Sequence, residues 1–244
     1  MDDWPKSGSF GTGATGPAER NAAAGRPIRV AVIADGAGAV PGQNELLAQL
    51  RAHAVAGYEV ELLGTGPEAD RRLAAAAEIE LPLFPGQLLG VPSLFAVAQA
   101  IVQRRYDALH LCAPAPASVI ALLMATLAGV PVTAGFDETL LRRAGEQITR
   151  TDTQSSVTGL LRAYYGQCDV VLSSSPAADA SLALLGIKPG RISRWQPGVD
   201  VERFNPRRYA SAAPTDASFN VLHVGAFPRC AESELLVEAF LVGA

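Results

Sequence analysis

The run IRVAVIA at residues 28–34 is apolar at every position but Arg29. A strand with that pattern has no solvent face, so it belongs inside a sheet covered on both sides. YEVELLG from Tyr58 reads as a second strand, and EIELPLF from Glu78, which alternates, as a third. DALHLCA from Asp107, VPVTAG from Val130, DVVLSS from Asp169, RISRW from Arg191 and NVLHVG from Asn220 supply further strands. Helix-patterned segments lie between most of them. Residues 43–53 form one, and PSLFAVAQAIVQRR another, with Leu94, Val97, Ala98 and Ile101 on a single stripe. The stretch from Pro116 to Ala128 carries no charge and reads as a buried helix. Strands alternating with helices predict an α/β fold around a doubly wound, mostly parallel sheet.

Composition narrows the function classes. Of 244 residues, 49% are apolar and 18% charged, which supports a packed core and excludes wholesale disorder. The net charge of −4 is spread along the chain, so no basic footprint for nucleic acid exists. The pairs Arg71-Arg72, Arg104-Arg105 and Arg207-Arg208 read as solvated faces. Cys112, Cys168 and Cys230 are far apart and lack metal-ligand spacing, which suits reduced core thiols of a cytosolic protein and implies no metal. Residues 1–27, rich in Gly, Ala, Pro and Ser, are expected to be a disordered tail, neither signal peptide nor anchor. The longest apolar run, residues 119–130, is about half the length a bilayer requires, so no transmembrane segment is expected.

Ligands of parallel α/β sheets bind beyond the carboxyl ends of the strands. That rule places residues 35–42, 113–117, 135–139, 173–175 and 196–200 on one rim. Asp35 opens the loop DGAGAVPG, with Gly36, Gly38 and Gly42 between a strand and a helix. Glycines there let backbone N–H groups approach a phosphate at the positive end of a helix. The spacing allows a dinucleotide site, a plain tight turn, or a loop facing phosphate or acceptor. A dinucleotide site needs an acidic residue at the end of the second strand, and Glu61 lies two positions too early. Asp137 and Glu138 follow a central strand, where adjacent side chains point apart and one can cap the next helix. Ser173, Ser174 and Ser175 are hydroxyls on the same rim, with Pro176 suited to start a helix. His110 and His223 sit in apolar strands and read as hydrogen-bonded core residues; His53 suits a helix carboxyl end. No G-x-S-x-G elbow is present, which argues against a serine hydrolase.

The segment YYGQCDVVLSSSPAADASLALLGIKPGRISRWQPGVDVERFNPRR, residues 164–208, resembles the end of the N-terminal domain of retaining GT-B glycosyltransferases of the family-four type. The similarity is closest to the mannosyl- and sulfoquinovosyltransferase-like branch, whose members carry a progression R-x-x-x-W-x-x-G-V-D-x-x-R-F-x-P. ADGAGAVPGQNELLAQL looks like their first glycine loop, and ALHLCAPAPASVIALLMATLAGVPVTAGF like a central strand–helix–strand unit. FNVLHVGAFPRCAE resembles the opening of their second domain, V-G-R-L-x-x-E-K-G. The resemblance spans roughly residues 28–244.

It implies a Rossmann-like acceptor-side domain over residues 28–205, a linker over 206–218, and the first strand and helix of a truncated donor-binding domain over 219–244. By resemblance, Asp35, Gly36, Gly38, Ser173, Ser175, Arg194 and Gly198 face acceptor or phosphate, and Gly225 and Arg229 face the donor. Asp137 stands where the family has a histidine beside the donor sugar, and by resemblance Asp137 and the following Glu138 are the candidate catalytic residues. Ala226 and Ala231 stand where the family has an arginine and a lysine that grip the diphosphate. The implied ligands are a nucleotide-sugar donor and a glycan or lipid acceptor, with no cofactor, and a partner chain would supply the missing domain. The expected protein is cytoplasmic, or peripheral at the inner membrane face. Its expected function is glycosyltransferase-like, with little or no activity as this chain alone. The alternatives are a non-catalytic acceptor-binding or partner module, and an NAD(P)-binding oxidoreductase domain.

Overall fold

The computed structural model describes residues 25–34, 58–66, 69–81, 88–104, 106–138, 151–195 and 201–208. The chain divides into two compact units, Met1–Pro197 and Gly198–Ala244. In the second unit the described residues form a turn and a short 3-10 helix, Pro206–Arg208. There the Arg208 side chain donates to the Glu202 carbonyl at 3.0 Å, and the Arg203 guanidinium lies 5.5 Å from the Phe204 ring centre.

The first unit is built on a seven-stranded sheet. Its strands are β1 (Ile28–Ile33), β2 (Tyr58–Gly64), β3 (Arg71–Arg72), β6 (Ala108–Leu111), β7 (Val132–Gly135), β8 (Val170–Ser173) and β9 (Ile192–Arg194), in the order β3-β2-β1-β6-β7-β8-β9. Every pairing is parallel. Val32 aligns with Leu62 on one side and with His110 on the other. The strand order reverses at β1, which makes the β1/β6 boundary the topological switch point of a Rossmann-like α/β fold.

Two aspartates fix the opposite, amino end. Asp107 and Asp169 each precede a strand and accept the backbone N–H of a neighbouring one, Arg29 at 2.9 Å and Val132 at 2.8 Å. The same short sequence step, Asp followed by an apolar run, thus anchors two strands. At the carboxyl end β1 and β2 come so close that a Cβ on Gly64 would overlap the Ala34 carbonyl oxygen.

The third strand of the sheet is not the expected one. Residues 75–80 form β4 (Ala75–Glu80), which pairs antiparallel with β5 (Leu88–Pro92) in a separate two-stranded sheet. Every β4 residue is exposed, so its alternation does not record a buried face. The third position of the main sheet falls instead to Arg71 and Arg72, and Arg71 pairs with Glu61 at 3.5 Å.

Four helices complete the described part: α1 (Leu94–Arg104), α2 (Pro116–Ala128), α3 (Thr151–Gln167) and α4 (Pro176–Leu184). All four place residues in one buried cluster with Ala31, Ile33, Leu109, Leu111, Val132, Ala134 and Val171 of the sheet. Val32 and Leu62 point to the opposite face, as strand alternation requires. In α1, Ser93 Oγ accepts the Ala96 N–H at 3.1 Å and starts the helix. Val97, Ala100 and Ile101 face inward, whereas Leu94, expected on that stripe, is 54% exposed. In α2, Pro116 sits at the first turn and Gly129 ends the helix at φ +66°, its N–H reaching back to Ala125 and Thr126. Only one side of α2 is buried: Ala117, Ser118, Ala121, Leu122 and Ala125.

Candidate functional site

Three consecutive strand ends of the described rim carry polar or aromatic groups that meet. After β7 the chain runs Phe136, Asp137, Glu138. Phe136 is buried edge-on against Tyr165 of α3, with ring centres 5.3 Å apart. Tyr165 meets Tyr164 edge-to-face in turn, with ring centres 5.0 Å apart. The hydroxyls of the two tyrosines reach two different loops. Tyr164 donates to the Ala113 carbonyl after β6 at 3.2 Å, and Tyr165 to the Gly135 carbonyl at the end of β7 at 3.4 Å. Burial raises both phenols, so they remain donors across the working pH range. For Tyr165 the charge of the Asp137 carboxylate adds to that rise.

Glu138 Oε2 accepts from Ser175 Oγ at 3.4 Å, and Ser175 Oγ accepts the Ala178 N–H at 3.0 Å as the N-cap of α4. A carboxylate beside a helix amino end interacts favourably with the helix dipole. Of the two acidic neighbours, Glu138 is the one that meets the α4 cap. Ser173 is fully buried and donates to the Ser175 carbonyl at 3.1 Å, which tightens the β8–α4 turn. Arg194, at the end of β9, forms an ion pair with Asp179 in the first turn of α4. Trp195 N donates to the Ser173 carbonyl at 2.8 Å, tying that edge to β8.

His110 lies on β6 near the switch point. Thr133 Oγ1 donates to the Leu109 carbonyl at 3.3 Å and meets His110 Nδ1 at 2.9 Å. The threonine hydroxyl thus bridges the His110 ring and the strand backbone. Burial lowers this histidine to about 4, so it is neutral at pH 7. It is the hydrogen-bonded interior histidine that its sequence context predicts. Burial pushes the Cys168 thiol up to about 12, which leaves it protonated and unreactive.

The structure thus brings Glu138 and Ser175 together and engages Arg194 with Asp179. Asp35, Gly36, Gly38, Gly198, Gly225 and Arg229, with Ala226 and Ala231, lie outside the described residues. Tyr164, Tyr165 and Thr133 were not anticipated; the tyrosine pair preceding a buried strand was the available signal. Among the described residues, no three His, Cys, Asp or Glu side chains are placed to hold a metal ion. No described helix is long and apolar enough to cross a membrane.

No curated protein matches this chain in sequence. Among solved structures, UDP-N-acetylglucosamine 2-epimerase from Rickettsia bellii is similar over 75% of this chain and 48% of its own, at 13% identity and a TM-score of 0.48. A second UDP-N-acetylglucosamine 2-epimerase structure is similar over 68% of this chain and 47% of its own, at 9% identity and a TM-score of 0.47. MurG of Acinetobacter baumannii is similar over 71% of this chain and 69% of its own, at 15% identity and a TM-score of 0.33. The chain spans about half the length of the two epimerase structures. A family model described as Glycosyltransferase Family 4 matches residues 22–203, which include the whole described sheet and its rim. The chain belongs to Glycosyltransferase Family 4.

Proposed function

We propose that residues 28–205 are the acceptor-side domain of a retaining GT-B hexosyltransferase, with 206–218 as linker and 219–244 as the start of a donor-binding domain. The family match over residues 22–203 carries this reading. The sequence progression RISRWQPGVDVERFNP supports the mannosyl- or sulfoquinovosyltransferase-like branch. In this reading the rim beyond β6, β7 and β8 receives a glycan or lipid-linked acceptor, and a nucleotide sugar approaches from the donor side. Ser175, Glu138, Arg194 and the loop with Asp35, Gly36 and Gly38 are assigned to the acceptor side, whereas Ser173, fully buried and bonded to the Ser175 carbonyl, shapes the turn beneath them. Gly225 and Arg229 face the donor.

Turnover by this chain alone is weak or absent. Asp137 occupies the place of a histidine, and a carboxylate repels a diphosphate in a desolvated cleft. Ala226 and Ala231 replace two cations, each of which commonly supplies about 3 kcal/mol of transition-state stabilisation. In this reading the residues of this chain contribute acceptor binding.

The test has two arms. Purified chain is assayed with UDP-glucose, UDP-galactose, UDP-N-acetylglucosamine and GDP-mannose for hydrolysis and for transfer to methyl glycosides. The expected result is no turnover above background, and robust turnover with any donor overturns the inactive reading. Saturation-transfer NMR with the same glycosides is expected to show contact that Glu138→Gln weakens. No contact with any glycoside overturns the acceptor-side assignment.

A further inference from the structure

The outer surfaces of α1 and α2 are largely apolar where a monomer's helices are ordinarily polar. On α1, Phe95 is 76% and Val102 62% exposed, and only the neutral amide of Gln99 lies between them on that outward stripe. On α2, Val119, Leu123 and Leu127 follow at i, i+4 and i+8, with Leu123 51% and Leu127 74% exposed. No residue of α2 is charged, and a helix that is apolar all round is normally covered all round. The two helices contact each other side by side and bury their opposite faces in one cluster. Their outer stripes therefore form one continuous surface.

We infer that a second copy of this chain docks on the outer face of the α1–α2 pair. The exposed parts of those five apolar residues sum to roughly 500 Å² per copy, or about 1,000 Å² across a two-fold contact, the size at which specific interfaces begin. Single soluble chains rarely leave that much contiguous apolar surface open. A two-fold contact sets a surface against its own image, so any charge on it would meet a like charge. This surface has none. Gln99 within it and the described residues beside it, Ser93, Gln103 and Thr126, are neutral. Helices that lie on a lipid surface border their apolar face with lysine and arginine; α2 carries no charge at all, and α1 reaches a basic residue only at its last position, Arg104. The surface therefore fits a second protein copy better than a lipid leaflet. This inference stands apart from the assignment of the rim, because the face lies on the helix layer rather than at the strand ends.

Sedimentation equilibrium of the 244-residue chain, between about 1 and about 100 µM, tests it. The weight-average mass is expected to rise from 25.4 kDa toward twice that value. The double variant Leu123→Glu/Leu127→Glu is expected to stay at the single-chain mass, with at least about a 100-fold weaker self-association and an unchanged far-UV circular dichroism spectrum. Phe95→Asp, on the neighbouring helix, gives the same readout should the double variant misfold. A single-chain mass for the parent throughout that range overturns the inference, as does a dimer that persists in both variants. Co-sedimentation of single chains with phosphatidylcholine–phosphatidylglycerol vesicles, lost in the variants, also overturns it and assigns the face to lipid.

Discussion

The two faces of α2 reverse the usual arrangement. Its inner face is lined mainly by alanines at 117, 121 and 125, and its outer face by Val119, Leu123 and Leu127. Small residues inside let the helix axis approach the sheet, where β1, β6 and β7 lie beneath it. Large residues outside do nothing for that packing. Apolar content alone therefore does not say which side of a helix is buried; side-chain volume against the neighbouring backbone does. The inner face is saturated, and the outer face still offers area.

Substitutions on the two sides should separate by size. Ala121→Leu, on the inner face at zero exposure, should destabilise the fold by about 3 kcal/mol, because the sheet cannot withdraw to admit a larger side chain. Urea unfolding measures it, and an unchanged midpoint would show that the inner layer is looser than its alanines imply.

The sheet interior adds a pH dependence that the outer face lacks. His110 titrates at about 4 in the fold against 6.5 ordinarily. Its stabilising effect is thus complete above pH 6.5 and is lost as pH falls toward 4, because the unfolded chain takes up the proton first. The loss is on the order of 3 kcal/mol. Urea midpoints at pH 7.5 and 4.5 should differ by more in the parent than in His110→Gln, and equal differences would refute the assignment.

The rim contacts are smaller. Ser175→Ala removes the α4 N-cap and should cost about 1 kcal/mol, read as a lower thermal midpoint; Ser175→Thr, which can still cap and donate to Glu138, should recover part of it. Tyr165→Phe, which loses only the bond to the Gly135 carbonyl, should cost about 0.5–1 kcal/mol. Leu127→Ala on the outer face should change single-chain stability by less than about 0.5 kcal/mol at submicromolar concentration. A large effect there would mean that the outer face is already covered within one chain.

Much of the fold was legible along the chain. Pro116 and Gly129 bracket α2 at the positions their backbone preferences dictate, and Ser175 followed by Pro176 opens α4 as a capped start. The strand at residues 28–33 declared itself by lacking a polar side. Residues 75–80 misled because alternation arises on any exposed hairpin as readily as on a half-buried strand. The outward side of α2 misled because a run without charge carries no phase. On the rim, Asp137 and Glu138 could be anticipated only to diverge; that Glu138 meets the α4 cap was not legible.

What the sequence determined by itself was the alternation of strands with helices and the capped ends of α2 and α4, because turns, caps and periodicity act over four or five residues. Tertiary structure alone decided what meets at the rim. Glu138 reaches a serine 37 residues away, and Tyr164 holds a carbonyl 51 residues away. Those meetings depend on the parallel strand order around β1 and on which helix face lies against the sheet. No local signal encodes either, because both are fixed only when the buried surfaces of all the elements are matched at once.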